Sequence, residues 1–415
     1  MKWYTRFDWT LFLSWLLLSL IGLVAIYSAT QGPQHQDTFI AGNFFRQVIH
    51  LGAGLVVIIV MQFISPRTYV QLTWLLYGLC LFIALLTVFF GIEVGGEKNW
   101  LNVFGFRLQI SEFMKIATIM ALASYLSNQR NLSAQDFKTV AVIGFIIALP
   151  VAFITLHGDT GTSLVYIALI PFILFWAGLS YGVSLLMVAP AIFAYLTVVN
   201  IYAAAASVVI ITFAIFMLEK RPGLTLVGFV VGVVMVIGVN MALTDVLQPH
   251  QRARVEAFVN PQVDPQGAGW NVIQAKTAIS SGGLYGKGFM QGTQTQLRFL
   301  PEQQTDFIYC VISEEFGFVG AGVVLLLFLV MLSRLLFIAA THKHPYARIL
   351  MIGVASVFLI HVMVNLGMAT ALLPVIGIPL PLISYGGSSF LSFSIMIGLC
   401  LNFYFYERDF SIYAS

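Results

Sequence analysis

An aspartate at the end of a polar segment is the clearest candidate for chemistry in this chain. Asp306 follows residues 301–305 (PEQQT) and is followed at once by Phe307 and a long apolar run. A carboxylate at an apolar boundary tends to have a raised pKa, which suits a general base. An aspartate that only caps the following helix is the alternative, and the residues alone leave both interpretations open.

Two opposite charges lie inside an apolar stretch further upstream. Glu112 and Lys115 are three residues apart, so on a helix they share a face and can pair. Ionisable groups at membrane depth are costly and usually face the protein interior. The pattern predicts either the polar wall of a cavity that opens outward or a self-neutralising pair that snorkels near a helix end.

A third carboxylate, Asp159, lies in residues 157–161 (HGDTG), at the outer start of another apolar stretch. It is either part of a functional site or the N-cap of the helix that follows. The glycine-rich residues 280–288 (SSGGLYGKG) resemble a phosphate-binding loop without matching one. Ser281 stands where G-x-x-x-x-G-K-[ST] needs its first glycine, and Gly288 follows Lys287. We therefore predict no nucleotide site there.

The elements that position these residues follow from composition. Of 415 residues, 59% are hydrophobic and 9% are charged, whereas soluble domains carry about 25% charged residues. Twelve apolar stretches, from 9–29 to 383–406, can each span a bilayer as a helix. The chain is therefore predicted to be an all-α, polytopic transmembrane bundle. The formal net charge of +3 favours no nucleic-acid partner, and three scattered cysteines form neither a disulfide framework nor a metal set.

Lysine and arginine placement orients the bundle. With the N-terminus in the cytoplasm, the cytoplasmic loops and tails hold Lys2, Arg6, Arg67, Arg130, Lys138, Lys220, Arg221, Arg334, Lys343, Arg348 and Arg408, and the short outer loops hold Arg46, Lys98 and Arg107. This bias predicts that both termini are cytoplasmic. Residues 244–312 then form one long extracytoplasmic loop, a length that is uncommon unless the loop is functional.

Blocks of sequence between about 100 and 408 resemble the SEDS family (shape, elongation, division and sporulation) of bacterial membrane proteins. The resemblance rests on Ser111-Glu112 with Lys115, Asp159 with Gly161-Thr162, the glycines of 282–288, residues 300–307 (LPEQQTDF) and residues 383–389 (ISYGGSS). The last block is long and highly specific. Val375-Ile376 after Leu373-Pro374, where the division branch typically has Thr-Lys, favours the rod-shape-determining branch.

The resemblance implies a peptidoglycan glycosyltransferase in the bacterial cytoplasmic (inner) membrane. Such enzymes polymerise lipid II, a disaccharide-pentapeptide on undecaprenyl pyrophosphate, at the outer face of that membrane during cell elongation. They work with a class B penicillin-binding protein, a transpeptidase that crosslinks the strands, and with the elongation machinery. No organic cofactor is implied, and whether a divalent cation assists is left open because no carboxylate cluster has clear ligand spacing.

The resemblance also assigns roles to residues. Asp306 matches the family's catalytic aspartate, and Glu112 and Lys115 match its polar pair in the central cavity. The leaving pyrophosphate needs cationic partners, for which the chain offers Lys115, Arg107, Lys287 and Arg298. Further predicted substrate-binding or cavity residues are Asp159, Glu302 and Ser384.

Two departures from the family pattern qualify this reading. Family members commonly have ten spans, so the helix pair at 181–218 is interpreted as an insertion into a single SEDS-type membrane domain covering 1–415. Arg298 stands where relatives often carry an acid, so it either contacts pyrophosphate or pairs with Glu302. A lipid II flippase and a non-catalytic scaffold for the penicillin-binding protein are the alternative functions.

Overall fold

The structure, a computed structural model, describes residues 7–31, 38–94, 97–103, 106–129, 137–246, 258–265, 267 and 269–407. Lys2, Arg6, Arg130 and Arg408 of the charge count lie outside the described residues. The chain divides into two compact units. The first contains residues 1–131, 141–170 and 274–415, and the second contains residues 132–140 and 171–273.

α-Helices make up most of the described chain. They are α1 (Trp9–Gln31), α2 (Thr38–Met61), α3 (Pro66–Phe90), α4 (Ile110–Ser127), α5 (Phe137–Leu156), α6 (Thr160–Trp176), α7 (Tyr181–Val199), α8 (Ile201–Glu219), α9 (Pro222–Met241), α10 (Trp270–Ser281), α11 (Thr293–Gln296), α12 (Ile308–Thr341), α13 (Pro345–Ala369) and α14 (Gly387–Phe405).

The predicted polytopic all-α bundle is confirmed. Each of the twelve predicted spans falls on a helix, and within the described residues 10 helices are long and apolar enough to cross a membrane. The other two are α4, which carries Glu112 and Lys115, and α6, which has 17 residues. Multiple spans place the protein in a membrane, as predicted.

The interior of the first unit is built around α4. This helix packs against α3, α13 and α14, and it is apolar on nearly every face, which is the pattern of a helix surrounded by protein. Its residues 114–124 are all buried. Charged side chains on α4 must therefore find their partners on α4 itself or on the neighbouring helices.

A small antiparallel sheet lies between α3 and α4 and was not predicted. Its strands β1 (Ile92–Val94), β2 (Glu97–Val103) and β3 (Phe106–Gln109) follow one another in sheet order. Trp100 pairs with Ile92 on one side and with Gln109 on the other. The strands are too short and too close to long apolar runs for a period of two to be recognised in the sequence.

The second unit contains α7, α8 and α9, which pack against one another. Asn200 separates α7 from α8, and its side-chain oxygen accepts hydrogen bonds from the amides of Tyr202 and Ala203, so it caps α8. The core of this unit contains Ala189, Phe193 and Val208.

The helix α12 is interrupted near its start, and the glycine-rich segment lies in the break. Gly317 has φ 65° and ψ −162°, so the helix kinks there. The amides of Phe318 and Val319 donate to the carbonyls of Gly283 and Leu284. A Cβ on Gly282 would clash with the Ser313 carbonyl oxygen. Glycine is required here for close backbone packing.

The topology is testable by cysteine labelling. Tyr285 is 78% exposed in the 244–312 loop, and Arg221 is exposed at the turn between α8 and α9. A membrane-impermeant thiol reagent should label Tyr285→Cys in intact cells and Arg221→Cys only after permeabilisation. The unmodified chain supplies the background from Cys80, Cys310 and Cys400. The reverse labelling pattern would overturn the assigned sidedness.

Candidate active site

A buried ion pair joins three helices at the centre of the first unit. The Lys115 ammonium donates to Glu112 Oε1 at 2.9 Å and to His361 Nε2 at 3.0 Å. The second carboxylate oxygen of Glu112 accepts from Ser392 Oγ at 2.9 Å. The ammonium also lies 5.3 Å from the centroid of the Phe393 ring. Lys115 is 0% and Glu112 2% exposed, so the predicted pairing is present and is protected from water.

His361 extends this network to the chain segment between α13 and α14. Its Nδ1 lies 3.2 Å from the carbonyl oxygen of Pro379. A carbonyl can only accept, so Nδ1 carries the proton, and Nε2 is free to accept from Lys115. The ion pair therefore holds one end of the segment 377–385, which we call the inner segment.

The inner segment in turn holds the turn that carries Asp306. The carbonyls of Gln304, Thr305 and Asp306 each accept one hydrogen bond. The donors are the Tyr385 amide at 2.9 Å, Ser384 Oγ at 2.6 Å and Asn365 Nδ2 at 2.9 Å. Three consecutive anchored carbonyls fix the backbone on which the Asp306 side chain stands.

The Asp306 carboxylate itself is left without a hydrogen-bond donor. Among the described residues it accepts no hydrogen bond, and a Cβ added to Gly377 would lie 3.7 Å from its Oδ2. Burial, and to a lesser extent the neighbouring Glu302 carboxylate, raises the pKa of Asp306 to about 6. A carboxyl group with these properties can take up a proton near neutral pH.

Glu302 and Ser384, two of the predicted site residues, shape this turn. Glu302 has a left-handed backbone with φ 49°, and its carbonyl accepts from the amides of Thr305, Asp306 and Phe307. Its exposed carboxylate accepts from Thr305 Oγ1 at 3.1 Å. Ser384 Oγ also accepts from the Leu380 amide at 2.8 Å. Both residues therefore lie beside the predicted base.

Asp159 is used differently. Its Oδ1 accepts from the Thr162 amide at 2.8 Å, which makes it the cap of α6. Its Oδ2 accepts from Asn99 Nδ2 at 2.8 Å and from Gln109 Nε2 at 3.4 Å, so it also ties α6 to β2 and β3. The contacts of Asp159 are thus those of the helix cap that the sequence offered as one alternative. Within the described residues, its carboxylate does not contact Asp306.

Arg107 lies on β3, close to the last sequence block. Ser388 Oγ accepts from the Gln109 amide at 3.0 Å and donates to the Arg107 carbonyl at 3.3 Å. The Arg107 side chain is exposed and has no hydrogen-bond or ion-pair partner in the part of the chain that the structure describes. It is a cation that can meet an anionic ligand.

Lys287 is already committed to an ion pair. Its ammonium donates to Glu314 Oε1 at 2.7 Å and to Thr293 Oγ1 at 2.7 Å. The buried Glu314 carboxylate also accepts from the amides of Gln294 and Thr295, at 2.9 and 3.0 Å. Glu314 thus folds the end of the outer loop onto α12. Arg298 is half-buried in this loop, with a left-handed φ of 56°.

Three residues that hold the site in place were given no role by sequence reasoning. His361 and Asn365 lie in the apolar run of α13, and Glu314 lies in the first turns of α12. A polar residue inside an apolar run is the signal that found Glu112, and the same signal was available for these three. Within the described residues no group of three or more His, Cys, Asp or Glu side chains could hold a metal ion.

The sequence and the fold both have known counterparts. The model of the FtsW/RodA/SpoVE family of cell cycle proteins matches residues 8–207 and 185–409. The chain is 34% identical to peptidoglycan glycosyltransferase RodA of Treponema pallidum, covering 95% of this chain and 97% of that protein. It is 31% identical to peptidoglycan glycosyltransferase MrdB of Escherichia coli K12 (97% and 94% covered) and 32% identical to stage V sporulation protein E of Bacillus subtilis (95% of each).

Solved structures show the same architecture. A chain of a peptidoglycan synthase complex that coordinates polymerization and crosslinking aligns with a TM-score of 0.70 and 26% identity, over 96% of this chain and 97% of that one. The rod shape determining protein RodA of Thermus thermophilus aligns with a TM-score of 0.63 and 23% identity, over 97% and 98% of the two chains, which concerns the fold alone. Both family-model matches together span nearly the whole chain. The chain therefore belongs to the FtsW/RodA/SpoVE family of cell cycle proteins, the SEDS family that its sequence blocks resemble.

Proposed function

We propose that this protein is a peptidoglycan glycosyltransferase that polymerises lipid II at the outer face of the bacterial cytoplasmic membrane during cell elongation. The observation that carries the proposal is the Asp306 carboxylate, which is anchored through its backbone, accepts no hydrogen bond from the residues that the structure describes, and has a pKa raised to about 6. Relatives that share about a third of the sequence are named peptidoglycan glycosyltransferases.

In the proposed reaction Asp306 takes the proton from the acceptor sugar hydroxyl. That oxygen attacks the anomeric carbon of the donor from the face opposite the pyrophosphate, so the α-linkage is inverted to a β-glycosidic bond. The carbon–oxygen bond to undecaprenyl pyrophosphate breaks, and negative charge grows on the leaving group. A cation near that group stabilises this charge.

Among the four predicted cations, Arg107 fits this role best. Its guanidinium is exposed, and the strand that carries it is tied to Ser388 in the last sequence block. Lys115 is occupied by Glu112 and His361, and Lys287 by Glu314. Those two lysines support the site by holding its walls, and a direct contact of Arg298 with pyrophosphate stays a prediction.

The partner is proposed to be a class B penicillin-binding protein, working within the elongation machinery. The alignment with a chain of a peptidoglycan synthase complex supports an assembly of polymerising and crosslinking subunits. The helix pair at 181–218 is proposed as an insertion into one membrane domain.

The decisive experiment for the activity is polymerisation by the purified protein with lipid II in detergent. An enzyme forms glycan chains and releases undecaprenyl pyrophosphate there, whereas a flippase or a scaffold forms none. The product is separated by gel electrophoresis, and a preparation of Asp306→Asn at the same concentration serves as the matched blank.

Replacing the proposed base should abolish visible polymer. Asp306→Asn keeps the size of the side chain and the backbone anchors, but an amide cannot accept the proton, so the rate should fall about 10²–10⁴-fold. Lipid II binding should persist, since it needs no proton transfer. Glu302→Gln is the control and should lose less. A folded Asp306→Asn enzyme that polymerises at the wild-type rate would refute the assignment.

The pH profile should report the same group. A base works when ionised, and the pKa of Asp306 lies at about 6, so kcat/KM should fall as the pH drops through about 6 and level off above it. Glu302→Gln removes a neighbouring negative charge, so the midpoint of its acidic limb should move to lower pH. An unchanged midpoint in that variant would assign the limb to another group.

Both members of the buried Glu112–Lys115 pair should be required for stability and for activity. Glu112→Ala leaves the Lys115 ammonium without its counter-charge, a loss of about 3–5 kcal/mol for an unpaired buried charge. Both single alanine variants should lose thermal stability and polymer formation. The swap Glu112→Lys with Lys115→Glu should restore folding better than activity, because it restores the charge balance but not the hydrogen bond that His361 Nε2 accepts from Lys115.

Asp8 and Arg334 supply a control for general destabilisation. Arg334 Nε donates to the buried Asp8 Oδ2 at 2.7 Å, and neither residue contacts the Glu112 network. Arg334→Ala should lower the melting temperature but leave the turnover of the folded fraction unchanged. If Lys115→Ala behaves in the same way as Arg334→Ala, the pair at Glu112 has a structural role only.

A further inference from the structure

A single buried amide joins the backbone of Asp306 to the inner segment. Asn365 is 0% exposed, and its Nδ2 donates to the Asp306 carbonyl at 2.9 Å and to the Ile378 carbonyl at 2.8 Å. Both partners are acceptors, so the amide nitrogen must face them and the orientation of the side chain is determined. The two hydrogens of one amide group thus connect two chain segments.

The connected segments are the two that flank the proposed base. Ile378 follows Gly377, which lies beside the Asp306 carboxylate with a left-handed φ of 80°. The carboxylate has no protein donor of its own among the described residues, so its position depends on the backbone that carries it. We propose that Asn365 is a positioning residue for the Asp306 carboxylate, an inference that rests on the proposed function.

Asn365 also lies one helical turn from His361, on the same face of α13. His361 holds the Pro379 carbonyl, and Asn365 holds the neighbouring Ile378 carbonyl. One face of α13 therefore holds two consecutive carbonyls of the inner segment. The charged groups around this face are Glu302 on the turn of Asp306 and the Glu112–Lys115 pair behind His361.

Asn365→Leu tests the proposal because leucine fills a similar volume and removes both donors. The freed turn should let the carboxylate shift, and a misplacement of about 1 Å lowers kcat about 10²-fold. KM for lipid II should stay unchanged. The acidic limb of the pH profile should move below about 6, since a shifted carboxylate gains access to water.

The chain offers a matched control in Asn402. This residue is also 0% exposed, and its Nδ2 bridges two carbonyls, those of Met61 at 2.8 Å and Ile64 at 2.9 Å. It lies about 22 Å along α14 from the outer end of that helix. Asn402→Leu should lose thermal stability as Asn365→Leu does, but its folded fraction should keep the wild-type kcat and pH midpoint.

A second variant, Asn365→Ala, distinguishes a positioning role from a packing role, because the two roles predict opposite orders of kcat for Asn365→Ala and Asn365→Leu. It opens a polar space next to two carbonyls, where a water molecule can bridge them. A positioning role predicts that Asn365→Ala retains more kcat than Asn365→Leu. A packing role predicts the opposite order, because alanine leaves the larger cavity. If Asn365→Leu does not fold, Asn365→Ala should still show the lowered kcat and the shifted pH midpoint.

The outcomes separate this inference from the proposed function. Equal kcat and equal pH midpoints for Asn365→Leu and Asn402→Leu would overturn the positioning role while polymerisation by the unsubstituted protein still stands. Full activity of Asp306→Asn would overturn the proposed base itself, and with it the reason for positioning it. Polymer formation is measured with purified full-length protein and lipid II in every arm.

Discussion

Burial of the Lys115 ammonium is the constraint on which the arrangement around Asp306 depends. An ammonium ion removed from water needs a counter-charge and hydrogen-bond acceptors, and leaving it unpaired costs about 3–5 kcal/mol. Glu112, His361 and the Phe393 ring supply these partners from α4, α13 and α14. These contacts fix the positions of the three helices relative to one another. The face of α13 that carries His361 also contacts the inner segment, which anchors the Asp306 turn.

Asp159 and Asp306, two carboxylates of the first unit, differ in whether their oxygens have hydrogen-bond donors. Asp159 accepts from three donors, Asn99, Gln109 and Thr162, so its oxygens are occupied in joining the sheet to α6. Asp306 has its backbone held firmly while its oxygens accept nothing from the described residues. Burial without donors raises the pKa of Asp306, because nothing compensates the charged form for the loss of water. That combination is what a general base requires.

The start of α12 is held from two directions. The inner segment and Asn365 of α13 bond residues 304–306, and the glycine-rich segment bonds residues 314–319 across the break at Gly317. The glycines at 282, 286 and 317 allow backbones to approach closer than any side chain permits. Lys287 and Glu314 then neutralise each other at the edge of this contact. A turn held on both sides can present a carboxylate in one position.

Apart from the role of Asp306, which rests on the family resemblance and stays a prediction, the sequence by itself determined the membrane class, the places of the twelve predicted spans and the pairing of Glu112 with Lys115. These follow from local signals, namely apolar run length, i,i+3 spacing and charge within an apolar environment. It did not reveal the β-sheet, the contacts of Asp159 with Asn99 and Gln109, or the roles of His361 and Asn365. Those depend on contacts between residues up to about 250 positions apart, such as Lys115 with His361. Only tertiary packing decides such contacts, because a buried polar group takes whichever partner the neighbouring helices bring within hydrogen-bonding distance.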